Sequence, residues 1–232
     1  TGIIAAVSVE EYDSGVIKKH EYTRPEKEDD RTLHIQVTKA NTGPVFLTFR
    51  NDGSFNNQIS GVINRDRDIS FEADDGTLHS IWRIQDSNTI NEISTYFKRV
   101  RSLYIADGHH RAASASRVHK EMTKNKPTEN VKESYNYFLA TIFPHDEMQI
   151  MGYNRVVKDL CGLSDEQFIS ELREKFDIQK LSNKRGPKER FSFTMLLGNR
   201  WYCLTAKKQI IKEDSVLRLD ASILQHHILK PI

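Results

Sequence analysis

Leu103-Tyr104-Ile105-Ala106-Asp107-Gly108-His109-His110-Arg111-Ala112-Ala113-Ser114-Ala115-Ser116-Arg117-Val118 decides how this chain folds and where its chemistry sits. Residues 103–106 are an apolar run that predicts a short buried strand, and 112–118 are rich in good helix formers. Strand, tight turn with one glycine, then helix is a geometry that builds anion sites. The first amides of a helix have no intrahelical acceptor, and the macrodipole adds partial positive charge there. This turn also carries a carboxylate, two imidazoles and a guanidinium. Cationic side chains at a helix N-terminus oppose the macrodipole, a cost more easily explained if an anion normally sits there. Arg111 would fork two phosphate oxygens. In the plainer alternative, Asp107 is an ordinary N-cap, Gly108 only supplies a positive φ, and the two histidines are solvated.

Outward from the turn, a second polar cluster precedes a helix start. Lys18-Lys19-His20-Glu21-Tyr22-Thr23-Arg24 leads to Pro25 and the acids Glu26, Glu28, Asp29 and Asp30. Thr23 or Arg24 as cap, Pro25 in the first turn and acids behind it predict a helix to about Ala40, ended by Asn41-Thr42-Gly43-Pro44. The four acids are helix-dipole partners. Glu21, if the fold brings it beside Asp107, suits a general base taking a proton from a substrate hydroxyl. His20, Glu21, Asp107, His109 and His110 are also candidate metal ligands. Adjacent histidines rarely bind one ion from the same face, and no His-Glu-x-x-His spacing occurs, so Mg²⁺ held by Asp107 with nucleotide phosphates fits better than zinc.

The rest of the chain predicts strands at 2–9 and 15–22, paired as a hairpin through Asp13-Ser14-Gly15, then a strand at 45–49 and a helix at 54–63. Strands at 69–71 and 78–84 flank Asp74-Asp75-Gly76, and Ser87 caps a helix carrying Ile90, Ile93 and Phe97. Residues 123–134 form an exposed loop, and 135–143 are strongly β. A helix from Ser164 to Phe176 opens with a capping box. Strands follow near 190–197 and 200–206, and a last helix starts at Asp214 or Ser215. Two sections result, 1–134 and 135–232. Their irregular mixing of strands and helices points to an α+β fold with a mixed sheet rather than a doubly wound parallel one. Asn154 and Arg155, in Met151-Gly152-Tyr153-Asn154-Arg155, are further candidates for a cleft. Trp82 and Trp201 read as core or rim packing, His226-His227 as surface, and Lys184-Arg185-Gly186-Pro187-Lys188 as a solvated basic loop.

The 232 residues carry 34 Lys and Arg against 32 Asp and Glu, a net charge of +2, which argues against a nucleic-acid footprint. Cys161 and Cys203 have no metal-type spacing, so free thiols in a reducing cytoplasm are expected. No apolar run approaches the roughly 20 residues that span a bilayer. The chain opens inside a strand pattern and stops just after an apolar helical one, as an excerpt of a longer protein would.

Taken together, His20-Glu21 and Asp107-Gly108-His109-His110-Arg111 resemble the ParB/sulfiredoxin-like superfamily, and within it the free-serine kinase branch, where an Asp-Gly-x-His-Arg turn holds nucleotide phosphates. More closely, the chain resembles the bacterial and archaeal family DUF1015. That likeness rests on Lys19–Thr23, Glu28–Arg31, Ala40–Pro44, Tyr104–Arg111 and Gly152–Leu160. The kinase resemblance implies a ParB/sulfiredoxin-like core with Glu21 as catalytic base. Asp107, Gly108, His110 and Arg111 would form the phosphate and Mg²⁺ turn, with His110 and Arg111 stabilising the transferring charge and His109 in the variable slot. The implied cofactor is ATP or ADP with Mg²⁺, and the partner a small hydroxyl compound such as free serine. The alternatives are a non-catalytic nucleotide-dependent binding or switch module and a metal-dependent hydrolase.

Overall fold

β7, Tyr137–Pro144, is the strand that organises the sheet. Phe138, Ala140, Ile142 and Pro144 are buried and alternate with half-buried neighbours, the period-2 pattern of a strand packed mainly on one face. The computed structural model describes residues 1–124, 133–187 and 189–231. They divide into two units, Thr1–Ile150 and Met151–Ile232.

The first unit holds β1 (Ile3–Ser8), α1 (Val9–Asp13), β2 (Ile17–Lys18), α2 (Pro25–Thr38), β3 (Val45–Phe49) and α3 (Phe55–Ile63). It continues with β4 (Ile69–Glu72), β5 (Leu78–Ile81), α4 (Ser87–Phe97), β6 (Leu103–Asp107), α5 (His109–Thr123) and β7. Five strands form one sheet in the order β1-β7-β3-β6-β2. The β1/β7 and β3/β6 pairs are antiparallel, while β3/β7 and β2/β6 are parallel. The fold is therefore α+β with a mixed sheet. Its core gathers Val45, Leu47 and Phe49 of β3, Leu103 and Ile105 of β6, and Phe138, Ala140 and Ile142 of β7. Val7 of β1, Ile17 of β2, Val9 and Tyr12 of α1, Phe55 and Ile59 of α3, Tyr96 of α4, and Ala112 and Ala115 of α5 complete it. β4 and β5 make a separate two-stranded hairpin.

In the second unit α6 (Asp165–Lys175) leads without a loop into β8 (Phe176–Leu181). β8 joins β9 (Ser192–Leu197) and β10 (Arg200–Ala206) in a sheet of order β8-β10-β9, antiparallel throughout. α7 (Asp220–Leu224) continues as a π-helical turn over Gln225–Leu229. Phe168, Leu172, Phe176, Leu204 and Ile223 lie in its core.

Four expectations need correction. The 15–22 strand and its hairpin do not form. Ser8 accepts the Glu10 amide at 3.1 Å and starts α1, so β2 is two residues long and pairs in parallel with β6. The 135–143 strand belongs to the first unit, because its register partners are β1 and β3; the change of unit falls at Ile150/Met151 rather than at 134/135. The helix expected from Asp214 is one capped turn, in which Asp214 Oδ1 accepts the Val216 and Leu217 amides at 2.9 and 2.8 Å. Leu219 is extended, at φ −67° and ψ 142°, and the helix proper begins after it. Asp86, not Ser87, caps α4, accepting the Thr89 amide at 2.7 Å. The loop expected at 123–134 lies largely outside the described residues, as does Lys188 of the basic loop. Trp82 and Trp201 are half-buried, as rim packing requires. Among the described residues no helix is long and apolar enough to cross a membrane.

Candidate functional site

Asp107 is the last residue of β6, and α5 starts two residues later. Gly108 makes the junction: its φ is +92°, and a Cβ there would lie 3.3 Å from Val45 Cα. Gly108 is the N-cap of α5, and no side chain caps the helix. Its carbonyl accepts the Arg111 and Ala112 amides at 2.9 and 3.1 Å. The amides of His109 and His110 come before the first of these intrahelical donors, and the first turn of α5 holds no acidic residue. The Asp107 side chain is not the N-cap; its carboxylate is 78% exposed and lies 4.0 Å from Arg111 Nη1.

His109 turns inward. Its side chain is 4% exposed, and Nδ1 lies 3.5 Å from Glu21 Oε2. The ring meets His20 edge to face, with centroids 4.4 Å apart. Nε2 is buried with no hydrogen-bond partner among the described residues. Burial chiefly, then His20 and His110, push the imidazole below its ordinary pKa, against the opposing pull of Glu21 and Asp107. The ring is therefore neutral at pH 7. A proton on Nδ1 faces the Glu21 carboxylate and leaves Nε2 as a bare buried acceptor.

His110 and Arg111 are tied to segments far away in sequence. The Arg24 amide, at the N-cap of α2, donates to His110 Nε2 at 3.0 Å. In the neutral ring the remaining proton then sits on Nδ1, available to donate. Arg111 Nη1 donates to the Pro44 carbonyl at 2.9 Å, and its guanidinium crosses Gly43, where a Cβ would lie 3.3 Å from Nε. Four guanidinium N–H groups remain. Behind the turn, Ser114 is fully buried and donates to the Glu28 carbonyl of α2 at 3.1 Å. Arg117 pairs with Asp29 on the same helix face.

Of the residues singled out from sequence, His20, Glu21, Asp107, Gly108, His109, His110 and Arg111 converge around one helix start. Asn154 and Arg155 lie in the second unit, where the Arg155 guanidinium stacks 4.0 Å over the Tyr153 ring. Gly43, Pro44 and the Arg24 amide were not expected as parts of the site. The signal for Gly43 and Pro44 was their place in Ala40–Pro44, one of the segments that resemble the DUF1015 family; β3, which follows them, pairs with β6. Two cavities in this unit, near Arg99–Tyr104 and near Ile63–Arg67, lie elsewhere, and the turn itself is open to solvent, with Glu21 60% exposed.

A family model described as a protein of unknown function, DUF1015, matches residues 1–222. The chain belongs to the DUF1015 family. No curated protein and no solved structure matches it. The DUF1015 match spans both motifs and the Gly43-Pro44 contact, so the whole cluster lies inside the family region.

The donor set fits a polyphosphate: uncapped helix amides, a guanidinium with N–H groups to spare, and no first-turn acid. Asp107 is an exposed hard oxygen donor, suited to be the one protein ligand of a magnesium ion whose other ligands come from phosphates and water. Among the described residues no three His, Cys, Asp or Glu side chains are grouped to hold a metal by themselves.

Proposed function

We propose that the 107–111 turn binds the phosphates of ATP or ADP with Mg²⁺, and that Glu21 acts on a small hydroxyl substrate such as free serine beside it. The observation that carries this proposal is the convergence on one uncapped helix start of Arg111, His110, Asp107 and the Glu21–His109 pair. Helix amides, Arg111 and the His110 Nδ1–H would stabilise the transferring charge. Magnesium would neutralise phosphate oxygens and orient them. Glu21 would take the hydroxyl proton as the new O–P bond forms and the bridging P–O bond of the nucleotide breaks, releasing ADP from ATP or AMP from ADP. The buried, neutral His109 would position Glu21 rather than touch substrate. This chemistry accords with a ParB/sulfiredoxin-like ancestry for the first unit.

Phosphorus NMR of nucleotide, Mg²⁺ and a panel of hydroxyl compounds is the test. The expected result is a new phosphate monoester formed at the expense of nucleotide. Glu21→Gln should lower that rate about 10²–10⁴-fold with nucleotide affinity little changed. A fully active Glu21→Gln variant overturns the base assignment. Saturable nucleotide binding with no transfer to any acceptor would establish a binding or switch module instead.

A further inference from the structure

A second concentration of cations lies toward the opposite end of β6 from the turn. Lys18 of β2, Arg50 just past β3, and Arg99 and Arg101 between α4 and β6 line one cavity of about 950 Å³. Small-molecule sites typically measure roughly 300–1,000 Å³. The register explains the convergence. Lys18 pairs with Tyr104, and Phe49 pairs with Leu103, so Arg50 emerges alongside Ser102. Among the described residues none of the four cations has an ion pair or a side-chain hydrogen bond. Two carboxylates, Asp52 and Glu92, share the lining. Asp52 is already engaged: it accepts the Ser54 amide and hydroxyl at 2.9 and 2.6 Å, which holds its carboxyl below the usual range.

Four cations from three segments of chain against two carboxylates leave the lining a net charge of +2, which a multiply charged anion offsets. We infer that this cavity binds a small phosphorylated polyol bearing two phosphoryl groups. Three guanidinium forks match phosphate oxygens, and Asn91 and Thr95 on the α4 wall can meet hydroxyl groups between them. A concave site of this size suits a small molecule better than a nucleic-acid backbone. It is not the acceptor site of the 107–111 turn. Tyr104, which lines the cavity, stands three residues before Asp107 on β6, about 10 Å away at roughly 3.3 Å per residue, whereas reacting atoms must approach to about 3–3.5 Å.

Calorimetric titration of the full chain with fructose bisphosphate and with inorganic pyrophosphate, in about 0.15 M salt, tests the inference. Saturable binding of fructose bisphosphate is expected, weakened at least about tenfold in the Arg99→Gln/Arg101→Gln double variant and unchanged in Arg111→Gln. All of these arginines are exposed, so the variants should fold; circular dichroism checks this, and Arg50→Gln gives an independent second variant. Four results would overturn the inference: no saturable binding of fructose bisphosphate, whether or not pyrophosphate binds; binding indifferent to Arg99, Arg101 and Arg50; equal loss in Arg111→Gln; or a short DNA duplex bound as tightly through the same arginines.

Discussion

His109 is the residue on which the site turns. Its imidazole is nearly buried, has no hydrogen-bond partner at Nε2 among the described residues and is held below its ordinary pKa of 6.5 by burial first and by His20 second. In the folded state it binds fewer protons than in the unfolded state over the interval below 6.5. The sign follows: its contribution to stability is full above pH 6.5 and is lost as pH falls through the depressed folded value. Thermal melts from pH 7.5 down to about 5 should show wild type losing stability over that interval and His109→Gln losing less. Equal slopes would show that another group, such as His227, carries the effect. Two glycines make sharper predictions. Gly108→Ala forces a Cβ into a left-handed conformation against Val45 and should cost about 1–2 kcal/mol in urea unfolding. Gly43→Ala meets only the flexible Arg111 side chain, so it should leave stability nearly unchanged while weakening anion binding at the turn. At this scale the sequence exposed which residue types mattered, not which way they faced. Adjacent His109 and His110 look alike in sequence, yet one is buried against Glu21 and the other accepts the Arg24 amide.

At the scale of elements, α5 is positioned by α2. The fully buried Ser114 lets the two helices approach, and its hydroxyl holds the Glu28 carbonyl. Ser114→Leu should overpack this contact, cost about 1–3 kcal/mol or more, and displace the helix start that forms the site. In the second unit the expected capping box is present, with Ser164 Oγ accepting the Gln167 amide at 3.2 Å and Gln167 Oε1 accepting the Ser164 amide at 2.8 Å. Ser164→Ala should cost about 1 kcal/mol by the same assay. The starts of α2 and α6 were legible because Pro25 in the first turn and the Ser164 capping box are local signals. The misses have local causes too. Residues 3–7 form a continuous apolar run and Val9 carries it past Ser8, which hid the Ser8 cap and the acids Glu10 and Glu11 that begin α1. β8 follows α6 with no turn residue between them, so nothing in the sequence punctuated the change of period.

Across the whole molecule, strand pairing is what sequence could not supply. The composition of 123–134 marked a break in the chain, but β7 beyond it returns to the N-terminal sheet and pairs with strands more than 80 residues earlier. Pattern and period describe a strand; they do not name its neighbour. The α+β class was legible from the irregular alternation of elements, and the distant motifs His20-Glu21 and Asp107–Arg111 do meet in space. That meeting makes nucleotide binding at α5 the claim on which the functional account stands. Thermal unfolding of the full chain with increasing ATP or ADP and Mg²⁺ measures it without assuming a reaction, because a ligand of the native state adds RT ln(1 + [L]/Kd) to stability. The unfolding temperature should climb with nucleotide in wild type and in Glu21→Gln, and the climb should be largely abolished in Arg111→Gln. An unfolding temperature that nucleotide leaves unmoved, or moves equally in Arg111→Gln, would contradict it.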